Sequence, residues 1–188
     1  MALLRKNLKR DDIRTYSESA CSNLLSIDIL AKSSNFTCYS SRSEELQTGS
    51  FILNLLQSGK RVALPKVDKK KKELSFFYIT SVENDLESGF NNIMEPKEGL
   101  KRVNSLSEID FGVIPAVSVD AEGNRIGFGG GYFDKYFKGK STENILCGFV
   151  FDFQILEKVP RDSHDLKLDI IVSDRRIIYC GKRQSVSH

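Results

Sequence analysis

The chain has 188 residues, of which 40% are hydrophobic and 28% charged, and its net charge of +3 is too weak to argue for nucleic acid by itself while leaving a local phosphate site open. Its cysteines, Cys21, Cys38, Cys147 and Cys180, form no Cys-x-x-Cys pair and the chain has only 2 histidines, which excludes a zinc-type cluster and reads as reduced thiols of the cytoplasm. No apolar run approaches the ~20 residues of a membrane span, and the basic stretch 1–10 lacks the apolar core of a secretory signal.

Leu4, Leu8 and the chain up to Ile13 have helical spacing, and Ser17 reads as the cap of a second helix carrying Ala20, Leu24, Ile27 and Ala31. Residues 35–39 form a short strand candidate. Thr48 then caps a helix through Leu56, with Ile52 and Leu56 on one face, and Gly59 ends it. Residues 61–64 are a strand candidate that Pro65 stops, and 73–79 are another. The lysine run 69–72 between them reads as a solvated hairpin tip, because no aromatic interleaves with it as a nucleic-acid contact would require. Residues 84–106 show little periodicity and read as a long loop. A strand at 110–114 precedes Pro115 and a turn at 120–124. Residues 132–137 open a helix, 145–151 and 168–172 are buried strands, and 176–179 add one more. The polar tail from Gly181 reads as frayed. Strands interleaved with helices and no linker point to an α/β fold. The expectation is a single three-layer α/β/α domain over 1–188 with a mostly parallel central sheet.

The chemistry concentrates in Gly127-Phe128-Gly129-Gly130-Gly131, whose glycine density weakens any regular element. One reading is a flexible turn. The other is close backbone approach to an anion, with N–H groups turned inward. Arg125 before the loop, Asp134 and Lys135 after it and the following helix start favour the anion. Neither familiar phosphate motif fits. Gly131 is followed by Tyr132 rather than Lys-Ser/Thr, and Tyr132 stands where a dinucleotide loop needs its third glycine.

The segment Asn124-Arg125-Ile126-Gly127-Phe128-Gly129-Gly130-Gly131-Tyr132-Phe133-Asp134-Lys135 resembles the signature of the 5-formyltetrahydrofolate cyclo-ligase family. Leu4-Arg5, Glu45-x-x-Thr48, Leu64-Pro65, Glu95-Pro96, Ile114-Pro115 and His164-Asp165 with Asp169 resemble further pieces of that family in its order. The resemblance implies ATP-dependent closure of 5-formyltetrahydrofolate, with or without a polyglutamate tail, to 5,10-methenyltetrahydrofolate, through a phosphorylated formyl group. The expectation is a cytoplasmic monomer with no nucleic-acid or membrane partner.

Carried over by position, the resemblance assigns Arg5, Arg125, Gly127, Phe128, Gly129, Gly130, Gly131, Tyr132 and Phe133 to ATP. It assigns Tyr132 and Arg125 to catalysis beside the formyl group, Glu45 and Tyr132 to the substrate, and Asp134 and Asp165 to Mg²⁺. Three positions depart from the pattern. Met1 stands where the family has a basic residue, and Phe128 and Gly130 stand where some members carry Arg or Lys, for which Lys135 is the expected compensation. Each residue also has a plainer role. Asp134 could cap its helix, Asp165 could make an Asx-turn, Arg125 could pair with Asp120 or Glu122, Glu45 could start the Thr48 helix, and Tyr132 could be core. His164 reads as structural. The rival functions are a sugar-phosphate isomerase-like phosphate binder, needing neither ATP nor metal, and a non-catalytic RNA-binding relative using the lysine run.

Overall fold

The computed structural model describes residues 1–89, 92–162 and 165–181; His164 and the tail beyond Gly181 lie outside them. Helices α1 (Ala2–Lys6), α2 (Arg10–Leu25) and α3 (Asp28–Lys32) lead into strand β1 (Asn35–Thr37). Helix α4 (Gly49–Gln57) precedes the hairpin β2 (Arg61–Asp68) and β3 (Glu73–Ile79), followed by a small hairpin of β4 (Leu86–Ser88) and β5 (Met94–Pro96). Strand β6 (Phe111–Ile114) is followed by β7 (Ser118–Asp120), β8 (Arg125–Ile126) and helix α5 (Tyr132–Tyr136). The chain closes with β9 (Ile145–Phe149), β10 (Ile155–Leu156), β11 (Ile170–Val172) and β12 (Ile177–Tyr179).

The central sheet is 7-stranded in the order β12-β11-β9-β6-β1-β2-β3. Strands β11, β9, β6, β1 and β2 run parallel, while β12 and β3 are antiparallel at the edges. The parallel strands are apolar on both faces, as doubly covered strands must be. On β6, β9 and β11, Phe111, Val113, Cys147, Phe149, Ile170 and Val172 pack into the core shared with α2 and α4. Their alternates Ile114, Leu146 and Ile171 pack the opposite core with Phe137 and Leu168. That second face is covered by α5 and by a 3-stranded sheet, β10-β7-β8, which completes the three-layer α/β/α arrangement. Among the described residues no helix is long and apolar enough to cross a membrane.

Several boundaries differ from the sequence reading, each for a physical reason. Ser17 caps nothing. It sits inside α2, where its buried hydroxyl donates to Ile13 O at 2.6 Å and accepts Gln47 N–H at 2.8 Å, so a polar residue mid-helix is satisfied by the loop after β1. The two expected N-terminal helices divide instead at 7–9 and again at Ser26 and Ile27. Thr48 precedes α4, but its hydroxyl donates to Tyr39 O at 2.7 Å rather than capping the helix. Pro65 does not stop β2. Pairing with β1 ends at Ala63, so Pro65 occupies a stretch with one open side, where its missing N–H costs little. The expected loop 84–106 contains β4 and β5, strands too short for alternation to be read.

Candidate active site

The chain reverses direction across the sheet between β1 and β6, because β1 is followed by β2 on one side and then by β6 on the other. Loops leaving such neighbours diverge and open a crevice at the carboxyl ends of the strands. Tyr39, just after β1, and Pro115, just after β6, line a cleft of about 380 Å³ at that point. Its lining includes Arg125, Gly127, Phe128, Tyr132 and Asp134 from the glycine segment and Pro65, Val67, Leu74 and Glu95 from β2, β3 and β5.

Arg125 is set in place by the turn before it. Asp120, 1% exposed, accepts N–H bonds from Glu122, Asn124 and Val159 and from the Asn124 amide, all within 3.1 Å. Burial alone would raise the Asp120 pKa, but these donors outweigh it and hold the carboxyl below the ordinary value. Two-strand pairing then registers Arg125 against Val119. Its side chain is 3% exposed, and its Nη2 donates to Asp134 Oδ1 at 2.6 Å. Nη1 donates to Pro115 O at 3.4 Å, so one guanidinium ties the end of β6 to α5. Asp134 Oδ1 also accepts the Leu166 N–H at 3.0 Å. The sequence alternative that paired Arg125 with Asp120 or Glu122 therefore gives way to Asp134.

The glycines of the loop divide into two kinds. Gly129 and Gly131 have φ of +89° and +62°, which disfavours any Cβ, yet have open space around the site of one. Gly127 and Gly130 are constrained by neighbours. A Cβ on Gly127 would lie 2.8 Å from Arg125 Nη1, and one on Gly130 would lie 2.5 Å from the Tyr132 ring. Gly130 is thus no neutral position in this chain.

Phe128, 41% exposed, carries two cations. The Arg5 guanidinium lies 4.9 Å and that of Arg42 5.2 Å from its ring centroid. Arg5 also pairs with Glu45 at 3.8 Å, both nearly sealed from solvent. Burial pushes the Glu45 carboxyl above its ordinary value, against the opposing effects of the Arg42 N–H bond and of the Arg42 and Arg5 charges. At 3.8 Å the Arg5 pair does not overcome desolvation. Glu95, also on the cleft wall, is 7% exposed and accepts the Val67 N–H at 3.4 Å.

Most of the residues expected from the sequence converge here. Glu45, Arg125, Gly127, Phe128, Gly130, Gly131, Tyr132, Phe133 and Asp134 line the cleft, and Arg5 reaches it through Glu45 and Phe128. Gly129 and Asp165 do not line it; the Asp165 carboxylate accepts the Asp162 N–H at 2.8 Å. Lys135 does not compensate for Phe128. It points away, its Nζ donating to Lys72 O at 3.4 Å, and the cations that lie against the Phe128 ring are Arg5 and Arg42. Among the described residues no group of 3 or more His, Cys, Asp or Glu gathers as a metal cage. Arg42, Tyr39 and the hairpin residues Val67 and Leu74 were not singled out in the sequence. Arg42 lies in an irregular loop whose spacing carries no signal, whereas Glu95 was visible only as part of Glu95-Pro96.

Comparison with known proteins places this geometry among relatives. The model of the 5-formyltetrahydrofolate cyclo-ligase family matches residues 1–174. A 5-formyltetrahydrofolate cyclo-ligase of Haemophilus influenzae is 27% identical over 171 residues, covering 90% of this chain and 91% of that protein. One of Escherichia coli is 25% identical over 174 residues, covering 92% and 96%. The solved structure of Aquifex aeolicus 5,10-methenyltetrahydrofolate synthetase superimposes with a TM-score of 0.82 at 33% identity, covering 98% of this chain and 91% of that one.

Proposed function

Because the chain belongs to the 5-formyltetrahydrofolate cyclo-ligase family, we propose that the cleft between β1 and β6 is where it closes 5-formyltetrahydrofolate to 5,10-methenyltetrahydrofolate with ATP. The observation that carries the assignment is a shared wall: a glycine loop suited to phosphates and an apolar, acid-bearing slot suited to a pterin line one cavity.

An amide-like formyl oxygen leaves poorly. Transfer of the ATP γ-phosphoryl group to that oxygen releases ADP and gives an iminium phosphate. The 10-nitrogen then bonds to the formyl carbon and loses its proton, and the C–O bond breaks as phosphate departs. No protein nucleophile is needed, so the task is alignment and charge neutralisation. Main-chain N–H groups of 127–131 would face the phosphates. Arg125, held by Asp134, adds fixed positive charge beside them without reorganising. Tyr132, on the cleft wall at the start of α5, would stand beside the formyl group. Glu45 and Glu95, both on the wall of the slot, can accept hydrogen bonds from a pterin edge. Val67, Leu74 and Pro115 exclude water.

The chain's fit to Mg²⁺ rests on Asp134, whose Oδ1 is engaged by Arg125 and Leu166 while the residue still lines the cleft. Asp165 adjoins Leu166 in sequence. Mg²⁺ characteristically takes one or two carboxylates and completes its shell with phosphates and water. Asp134 is therefore the cleft carboxylate that would hold it, and it would neutralise phosphoryl charge there; Asp165, which does not line the cleft, is a second ligand only on the family resemblance.

The test is to mix the protein with Mg-ATP and 5-formyltetrahydrofolate and to follow methenyl-tetrahydrofolate absorbance together with ADP. One ADP per methenyl product is expected. Product without ATP consumption, or sugar-phosphate isomerisation in its place, would overturn the reading.

A further inference from the structure

Arg42 has a role that the phosphate loop and the pterin slot do not absorb. It follows β1 in the irregular segment between β1 and α4, anchored by its own backbone: its N–H donates to Glu45 Oε2 at 2.9 Å and its carbonyl accepts Gln47 Nε2 at 2.8 Å. The guanidinium rests against the ring of Phe128. Arg5, on the same ring, is paired with Glu45; the Arg42 charge also acts on Glu45, but among the described residues no carboxylate lies within ion-pair distance of the Arg42 side chain. A half-exposed guanidinium seated on an aromatic face is weakly hydrated and ready for bidentate binding of a carboxylate.

Its location gives that readiness a direction. Beside the main cleft lies a second cavity of about 460 Å³, walled by Ser41, Arg42, Ser43, Glu44, Asn92 and Ile93. Arg42 and Ile93 belong to both walls, so the two cavities adjoin. The apolar slot suits a flat ring, whereas five of the six residues walling the second cavity have polar side chains and none belongs to the glycine loop. The substrate class has this same division: a flat pterin followed by an anionic glutamate tail.

We propose that the second cavity receives the carboxylates of the glutamate tail and that Arg42 binds them, a specificity role that rests on the cleft being the folate site. Glu44, on the same wall, opposes the tail and limits how strongly it is held. The two side chains therefore act with opposite sign on one ligand group.

The experiment compares 5-formyltetrahydrofolate with 5-formyltetrahydropteroate, which lacks the glutamate. Wild type, Arg42→Gln, Arg42→Lys and Glu44→Gln are assayed for kcat/KM on both, for the KM of ATP, and for equilibrium binding of both pterins. One charge-assisted carboxylate contact implies that the wild type favours the tailed substrate by about tenfold. That ratio is expected to fall towards one in Arg42→Gln, to survive in part in Arg42→Lys, and to rise in Glu44→Gln. An unchanged ratio in Arg42→Gln overturns the proposal. So does a parallel rise in the KM of ATP, which would assign Arg42 to phosphates. If the wild type binds the tailed pterin preferentially but forms no methenyl product, the catalytic reading falls and the tail site stands. If neither pterin binds, both fall.

Discussion

Arg125 Nη2 donates to Asp134 Oδ1 at 2.6 Å, with the guanidinium 3% and the carboxylate side chain 27% exposed. The pair joins the strand before the glycine loop to the helix after it, so the loop is held at both ends by one ion pair. A residue so placed cannot serve charge alone. Arg125→Ala is expected to abolish most ATP-dependent turnover and also to destabilise the fold by about 3 kcal/mol, the low end for a broken buried pair because Asp134 is partly wet. Thermal melts beside steady-state kinetics check it. Lost turnover with an unshifted melting temperature would mean that the pair is not structural.

Asp134 and Asp165 separate charge from metal. Asp134→Asn keeps a hydrogen-bond acceptor for Arg125 while removing a hard anionic ligand. The Mg²⁺ concentration giving half-maximal turnover is expected to rise roughly tenfold or more in Asp134→Asn and in Asp165→Asn, in the range seen when metal-site carboxylates or their supports are altered. Titration with Mg²⁺ at saturating ATP reads it. Unchanged midpoints in both variants would remove these residues from the metal.

Which parts of this site were legible in the sequence follows from how local each signal is. The glycine segment, Arg125 and Asp134 lie within a dozen residues, and their clustering was visible without a fold. The apolar runs of β6, β9 and β11 were visible because strands covered on both faces need no alternation. Arg42 and the wall formed by Val67 and Leu74 were not, because the sheet order, not the sequence, brings 42 and 67 to the loop at 128. Lys135 shows the opposite error. Adjacency to the loop pointed to the phosphates, but one position beyond Asp134 on a helix is a turn of about 100° away, towards the β2–β3 hairpin.

Glu45 makes stability depend on pH. Burial raises its folded-state pKa above the ordinary 4.5, so the folded chain holds the proton more tightly than the unfolded chain. Its contribution is therefore most favourable below 4.5 and is lost as pH rises through the higher folded value. Glu45→Gln removes that dependence. The difference in melting temperature between variant and wild type is expected to move in the variant's favour as pH is raised from 4.5 into the neutral range. Parallel profiles for the two proteins would show that Glu45 titrates normally.

The glycine loop offers the sharpest contrast. At Gly129 and Gly131 a side chain has room but the backbone has positive φ, of +89° and +62°. Alanine there should cost about 1–2 kcal/mol of stability through backbone strain. At Gly130 no positive φ is needed, but a Cβ would lie 2.5 Å from the Tyr132 ring. That ring is half-buried at the cleft and can rotate aside, so Gly130→Ala should melt close to wild type. The displaced ring would then stand away from the formyl group. Turnover of Gly130→Ala is therefore expected to fall by more than its stability does, whereas Gly129→Ala and Gly131→Ala lose stability first. Melting curves and kcat for the three variants decide it. A Gly130→Ala protein with wild-type turnover would show that Tyr132 is not needed where it stands, and the catalytic place given to that residue would fail with it.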